Sequence, residues 1–211
     1  MRKRGLAFSE DGDSADLAPQ VRAKLGEETA RLFDCYKREL FVPKGGECRA
    51  DSVEDFLLIV KSGVIAVIMP SSSGKSTGLF FAGPGCIVNI MRVAGDTDRY
   101  GKDFNDAHFG YALADSRLAL VPLHDVRAQM EENSALASEL MAQLTDRYKA
   151  TLEIMTTMVE MSGADRIKWL FHRADQVGLD PLDLTHEMIG RLLGMNRVSV
   201  TRLMGKVLGG A

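Results

Sequence analysis

The chain has 211 residues, 45% of them hydrophobic and 26% charged, which is enough apolar material for one large or two small cores. No apolar run reaches the roughly 18 residues that a bilayer span requires, and the opening Met-Arg-Lys-Arg leads into acidic polar sequence instead of a signal-peptide core, so the expected location is the cytoplasm, with no membrane partner. A net charge of −3 excludes a wholly basic nucleic-acid binder while leaving room for a local basic surface, and three cysteines without close spacing, Cys35, Cys48 and Cys86, argue against a disulfide framework or a zinc site.

Short β-rich runs come first. Residues 56–60 and 64–69, joined by Lys61-Ser62-Gly63, read as a hairpin. Residues 71–77, SSSGKST, then carry a Gly-Lys-Ser like the end of a phosphate-binding loop. Such a loop needs a glycine five residues before the Gly-Lys and a helix directly after it, so that backbone N–H groups face the phosphates. The required position holds Met69 and the next run, residues 78–81, is β-like, so the stretch is expected to be a polar hairpin tip. A Gly83-Pro84-Gly85 turn and β-rich runs at 86–90, 109–113 and 117–121 complete a set of turn-separated strands, the pattern of a sandwich or barrel.

From Leu123 the period changes. Ala137, Met141, Leu144, Tyr148, Thr151, Met155 and Met158 recur at alternating spacings of four and three. Leu140, Leu152, Ile154 and Val159 widen the apolar surface, so this helix is expected to pack on the β-structure with one side and on another helix with the other. With no Gly or Pro between Ser134 and Ser162 it is long enough to form a dimer, through Ala137, Met141, Leu144, Tyr148, Met155 and Met158. Ser162-Gly163 ends the pattern, and Ile167, Leu170, Phe171 and Ala174 mark a new helix that closes near Gly178. The expected organisation is a β-domain over 1–122, a dimerisation helix over 123–161 and a C-terminal unit over 162–211.

The C-terminal stretch LTHEMIGRLLGMNRVSVTRLMGKVL, residues 184–208, carries the most information. Thr185 is placed to cap a helix whose Ile189, Leu192 and Leu193 face a core, and Gly194 permits a sharp turn into a second helix beginning near Asn196. That helix buries Val200, Leu203, Met204 and Val207 and leaves Arg197, Ser199, Arg202 and Lys206 outside, the division of a helix-turn-helix recognition helix. Arginine can read guanine O6 and N7 with both arms of its fork, while Ser199 and Thr201 suit phosphate or base contacts.

The order of these parts, a β-barrel, a long helix and a C-terminal helix-turn-helix, resembles the cyclic-AMP receptor protein and FNR superfamily of bacterial transcription regulators. The resemblance runs from about residue 40 to 208. Its clearest stretches are LLIVKSGVIAVIM, like the family's barrel hairpin, GPGCIVNIM, like the strand entering the ligand cassette, and the helix-turn-helix, where Thr185, Ile189, Gly190, Gly194, Arg197, Val200 and Arg202 match the family pattern. It implies an α+β chain: an N-terminal double-stranded β-helix of the cyclic-nucleotide-binding kind, a dimerisation helix and a winged-helix-like DNA-binding end. It also implies a homodimer on a near-palindromic double-stranded operator, with RNA polymerase as a further partner and Arg197, Val198, Ser199, Thr201, Arg202, Lys206 and Thr185 at the DNA.

The departures from the family pattern narrow the signal. Where cyclic-AMP-responsive relatives carry Gly-Glu-Leu and Arg-Ser for the ribose and phosphate, this chain places Asn89-Ile90-Met91 and Asp106-Ala107, so cyclic AMP is not the expected ligand, with Arg92 and Arg99 the substitutes on hand. The polar segment 92–106 reads as a surface loop. No cysteine cluster precedes Cys35 for an iron–sulfur centre. For haem the candidate ligand is His108 with the methionines of the long helix, although a lone histidine is more often a structural residue. The remaining option is a small organic effector near Val88, Asn89, Ile90, Phe109, Tyr111, Tyr148, Thr151 and Leu152, residues that could equally fill a core. The family's β-hairpin wing would begin where the sequence reads Gly209-Gly210-Ala211, and Val198 stands where the family often has Glu. The alternative reading is a ligand-binding or interaction module of the same fold without productive DNA binding. No catalytic constellation is present, so no enzyme is expected.

Overall fold

The computed structural model describes residues 25–49, 55–70, 76–94 and 109–209. Helix α1 (Glu27–Asp34) precedes seven strands: β1 (Glu39–Val42), β2 (Glu47–Arg49), β3 (Phe56–Ser62), β4 (Ile65–Pro70), β5 (Ser76–Ala82), β6 (Phe109–Ala112) and β7 (Ser116–Pro122). They form two antiparallel sheets, ordered β1-β7-β3 and β2-β6-β4-β5. Helices α2 (Leu123–Glu132), α3 (Ser134–Glu160), α4 (Gly163–Gln176), α5 (His186–Leu193) and α6 (Arg197–Gly209) follow. The fold is α+β, as expected.

The two sheets enclose one core and are covered on their outer faces by others. In β3, Leu58 and Val60 point inward to meet Val67, Phe80, Leu118 and Leu120. Their neighbours Leu57 and Ile59 face out, into a cluster with Leu32 of α1 and Leu136 and Leu140 of α3. In β4, Ile65 and Val67 join the inner core, while Ala66 and Ile68, with Val64 just before the strand, pack against Ile167, Phe171, Met188, Ile189 and Leu192 of the C-terminal helices. Both faces of β3 and β4 are therefore buried, and this is why they read as unbroken apolar runs in the sequence.

That double burial corrects the expected hairpin between 56–60 and 64–69. β3 pairs with β7, whereas β4 pairs with β5 and β6, so the turn at Gly63 carries the chain from one sheet to the other. The hairpin that forms is β4–β5, from Ile65↔Ala82 to Pro70↔Ser76. Of the expected tip, residues 71–77, Ser76 and Thr77 belong to β5, paired with Pro70 and Met69, and 71–75 lie outside the described residues. A strand and not a helix follows the Gly-Lys-Ser segment, so the helix N-terminus that a phosphate loop requires does not occur there.

Residues 86–90, expected as a strand, make an isolated bridge, Ile59↔Ile87, and then a 3-10 turn over Ile90–Ala94. Asn89 is the cause. Its Nδ2 donates to the Phe56 carbonyl at 2.8 Å and its Oδ1 accepts from Leu58 N–H at 2.9 Å, so the side chain takes over the ladder as the backbone turns away.

Asn133 separates α2 from α3. It adopts an extended conformation, and its Oδ1 accepts from Ala135 and Leu136 N–H at 3.1 Å each, capping α3. The Glu139 carboxylate then fastens α1 to α3, accepting from Thr29 N–H at 2.9 Å and Thr29 Oγ1 at 2.7 Å. Those bonds, the Thr29 N–H foremost, hold its carboxyl below the ordinary carboxylate range. Among the described residues, no helix is long and apolar enough to cross a membrane.

Candidate DNA-reading helix and effector site

Thr185 caps α5, its Oγ1 accepting from Met188 N–H at 3.2 Å, and Met188, Ile189, Leu192 and Leu193 are buried on one face. The helix ends at Gly194 in the left-handed conformation, φ 64°. Gly190 is required for a different reason. A Cβ there would lie 2.7 Å from the Met195 carbonyl oxygen, in a turn closed by Met195 N–H donating to the Gly190 carbonyl at 2.9 Å. Asn196 Oδ1 accepts from Ser199 N–H at 2.7 Å and so starts α6. Val200 and Met204 are buried, and Leu203 and Val207 pack partly against the same core. Arg197, Val198, Thr201, Arg202 and Lys206 are exposed and Ser199 is half-buried. The Thr201 hydroxyl is committed within the fold, donating to the Arg197 carbonyl at 3.0 Å and meeting His186 Nδ1 at 2.9 Å.

This helix pair sits on the four-stranded sheet. Arg191 of α5 forms a 2.8 Å ion pair with Glu47 of β2 and lies 5.4 Å from the centre of the Tyr111 ring. Burial raises the Tyr111 hydroxyl pKa. A Cβ at Gly78 of β5 would come within 3.1 Å of the Leu192 carbonyl oxygen, so helix and strand meet almost backbone to backbone.

Helix α3 has two unlike sides. Leu136, Leu140, Ala150 and Ile154 are buried against the β-structure, and Leu144 and Met158 pack partly against the same clusters. Met141, Tyr148, Leu152, Met155 and Val159 are exposed, Val159 at 82%. They fall at spacings of seven, four, three and four, a continuous apolar seam along one face of the chain. Arg147 lies on the buried side. Its guanidinium sits 3.5 Å from the Phe80 ring centre, and its Nη2 donates to the Ile87 carbonyl at a long 3.4 Å. Its Nη1 is buried without a hydrogen-bond partner. Burial lowers the pKa of this arginine to about 10, partly offset by the adjacent Cys86 thiol, so it remains a cation at neutral pH.

No protein-family model matches the chain, and no curated protein matches it. Solved structures do. A protein described as a transcriptional regulator of the CRP/FNR family, from Eubacterium rectale, superposes with a TM-score of 0.68 at 19% identity, covering 88% of this chain and 85% of that one. The c-di-GMP-responsive global regulator CLP of Xanthomonas campestris gives 0.64 at 16%, covering 88% and 93%. FixK2 of Bradyrhizobium japonicum gives 0.62 at 16%, covering 82% and 85%. The chain has the CRP/FNR fold.

Within that CRP/FNR fold the seven described side chains among the eight residues expected around an effector do not converge. Val88 lies in the core between the sheets and Ile90 in the cluster outside the first sheet. Tyr111 faces the helix-turn-helix, and Asn89 is occupied by its bonds to β3. Tyr148 and Leu152 belong to the exposed seam, while Thr151 is half-buried and donates to the Arg147 carbonyl at 3.0 Å. The Phe109 side chain, Arg99, Asp106, Ala107 and the candidate haem ligand His108 lie outside what is described. Of the six residues expected at a dimer interface, Met141, Tyr148 and Met155 are exposed, Ala137 is half-buried, and Leu144 and Met158 pack on their own chain. Sequence reasoning passed over Arg147. The available signal was its spacing: it stands between Leu144 and Thr151, and seven residues from both Leu140 and Ile154, in an otherwise uncharged stripe.

Proposed function

We propose that the chain is a homodimeric, sequence-specific DNA-binding transcription regulator, with a sensor over 1–122, a dimerisation helix over 123–161 and a DNA-binding unit over 162–211. The region 123–161 is two helices broken at Asn133 and not one, and the dimer-forming part in this reading is α3. In this reading α6 enters the major groove of a near-palindromic operator, and a signal other than a cyclic nucleotide acts through the β-structure. The observation that carries it is the outer face of α6: Arg197, Arg202 and Lys206 exposed on a capped helix that contains no acidic residue. Arg197 and Arg202 supply forks suited to guanine, and Val198, 79% exposed at the start of the helix, offers an apolar contact for a thymine methyl. The exposed seam of α3 supports dimerisation, which would present two reading helices to two half-sites.

The test compares two substitutions in gel shifts against the protein's own promoter region. Arg202→Ala should cost about 1–3 kcal/mol per half-site and flatten discrimination at one base pair. Lys206→Ala, a turn further along, should weaken all sequences alike and lower the salt slope by roughly one. If both variants keep the wild-type affinity and salt dependence with the fold intact, α6 does not enter the groove and the module without DNA binding becomes the better reading.

A further inference from the structure

We propose that the Arg147 guanidinium anchors the effector, and that the effector is a small organic monoanion, a carboxylate on an apolar body, held between α3 and the Phe80 and Cys86 side of the β-sandwich. This rests on reading the β-structure as the sensor and deepens it by naming the ligand's chemistry. The carrying observation is an unmatched donor. Nη1 is buried with no acceptor, and the guanidinium's other polar contacts are the long Nη2 bond to the Ile87 carbonyl and a hydrogen bond to the Cys86 thiol, a weak acceptor. A buried charged donor left without a partner is among the costliest arrangements in a protein. Among the described residues, the groups that touch the guanidinium, the Phe80 ring, the Ile87 carbonyl and the Cys86 thiol, bring neither a carboxylate nor a second cation.

A carboxylate answers that geometry. Its two oxygens match the paired donors of an arginine fork, and its single charge neutralises a single cation. A dianion would bring a second charge against the cluster that Phe80 and Cys86 share with Val88 and Ile154, all buried and apolar. The position also suits a sensor. Arg147 is one residue from Tyr148 on the exposed seam, and Ile154, two turns on, lies in the same cluster as Trp169 of α4. A ligand seated here would press on the helix that carries both the seam and the connection to α4.

The experiment follows thermal unfolding of the full chain with hexanoate, benzoate and inorganic phosphate, using hexanamide and benzamide as uncharged counterparts. The wild type, Arg147→Met and Arg147→Lys are compared. At saturation the carboxylates should raise the wild-type midpoint by at least about 2 °C while the amides do not. Arg147→Met should melt above the wild type without ligand, because an unmatched buried charge has gone, and should lose the response; Arg147→Lys should retain part of it. The proposal is overturned if neither carboxylate acts on the wild type, if phosphate alone acts, if Arg147→Met responds like the wild type, or if Arg147→Met melts below it. Promoter gel shifts with and without hexanoate separate the two levels. A melting response with no change in DNA affinity leaves the anion site standing and overturns the regulator reading.

Discussion

Replacing Leu152 and Met155 together by glutamate should convert a dimer to monomer without unfolding the chain. In a single chain these side chains are 46% and 51% exposed. Fully burying a leucine or methionine stabilises by about 1.5–3 kcal/mol, so covering the remaining half contributes about 1 kcal/mol for each. Two such residues on each of two helices give roughly 4 kcal/mol, which at about 1.4 kcal/mol per decade is on the order of a thousandfold in Kd. Carboxylates facing each other across a two-fold axis would add a desolvation and repulsion cost to that loss. Sedimentation velocity over a concentration series reads the outcome, with circular dichroism confirming that the helices survive. Leu144→Glu provides the contrast, since Leu144 packs on its own chain and its replacement should lower the melting temperature as well. A double variant that sediments as a dimer with unchanged Kd would refute the assignment of the seam.

Gly190→Ala should destabilise the chain by about 1–3 kcal/mol in urea unfolding, because its Cβ would meet the backbone carbonyl of Met195 rather than a movable side chain; an unchanged midpoint would show that the turn relaxes freely. The Glu139 carboxyl is held below its ordinary value of 4.5, so the stability it contributes is complete above that pH and fades as the pH falls through its lowered value. Melting curves across that acid range should fall less steeply for Glu139→Gln than for the wild type, and superimposable acid limbs would contradict the role given to the Thr29 bonds.

Much of the architecture could be read from the sequence where a periodicity was strong. The long helix and the Thr185, Gly194 and Asn196 signals around the helix-turn-helix describe local geometry, which neighbouring residues determine. Strand pairing was not local. Residues 56–60 and 64–69 flank a glycine turn as a hairpin would, but runs buried on both faces lack the alternation that identifies a partner strand. Ile87, Val88 and Ile90 have strand propensity, yet the two hydrogen bonds from Asn89 to β3 decide the backbone there. The short elements α1, β1 and β2 carry too few apolar residues for a period to show. The described residues expected at an effector lie in separate clusters, and the charge of Arg147 is buried by Phe80 and Ile87, which the fold brings to it from elsewhere in the chain.

The shared core between β4 and the C-terminal helices has a mechanical meaning. Val64, Ala66 and Ile68 fill one side of it, and Phe171, Met188 and Leu192 fill the other. Helices mounted in this way cannot swing as a body tethered by a flexible string, since any wide excursion would wet both halves of one hydrophobic layer at once. Small sliding displacements along the sheet, with the Arg191 and Glu47 pair at the margin of the contact, are the motions compatible with that layer staying dry. The distance between the two reading helices of a dimer would then be set by the stiffness of a sheet and not by the length of a linker. Operator spacing in such a protein should tolerate little variation, and inserting or deleting a single base pair between half-sites should abolish tight binding.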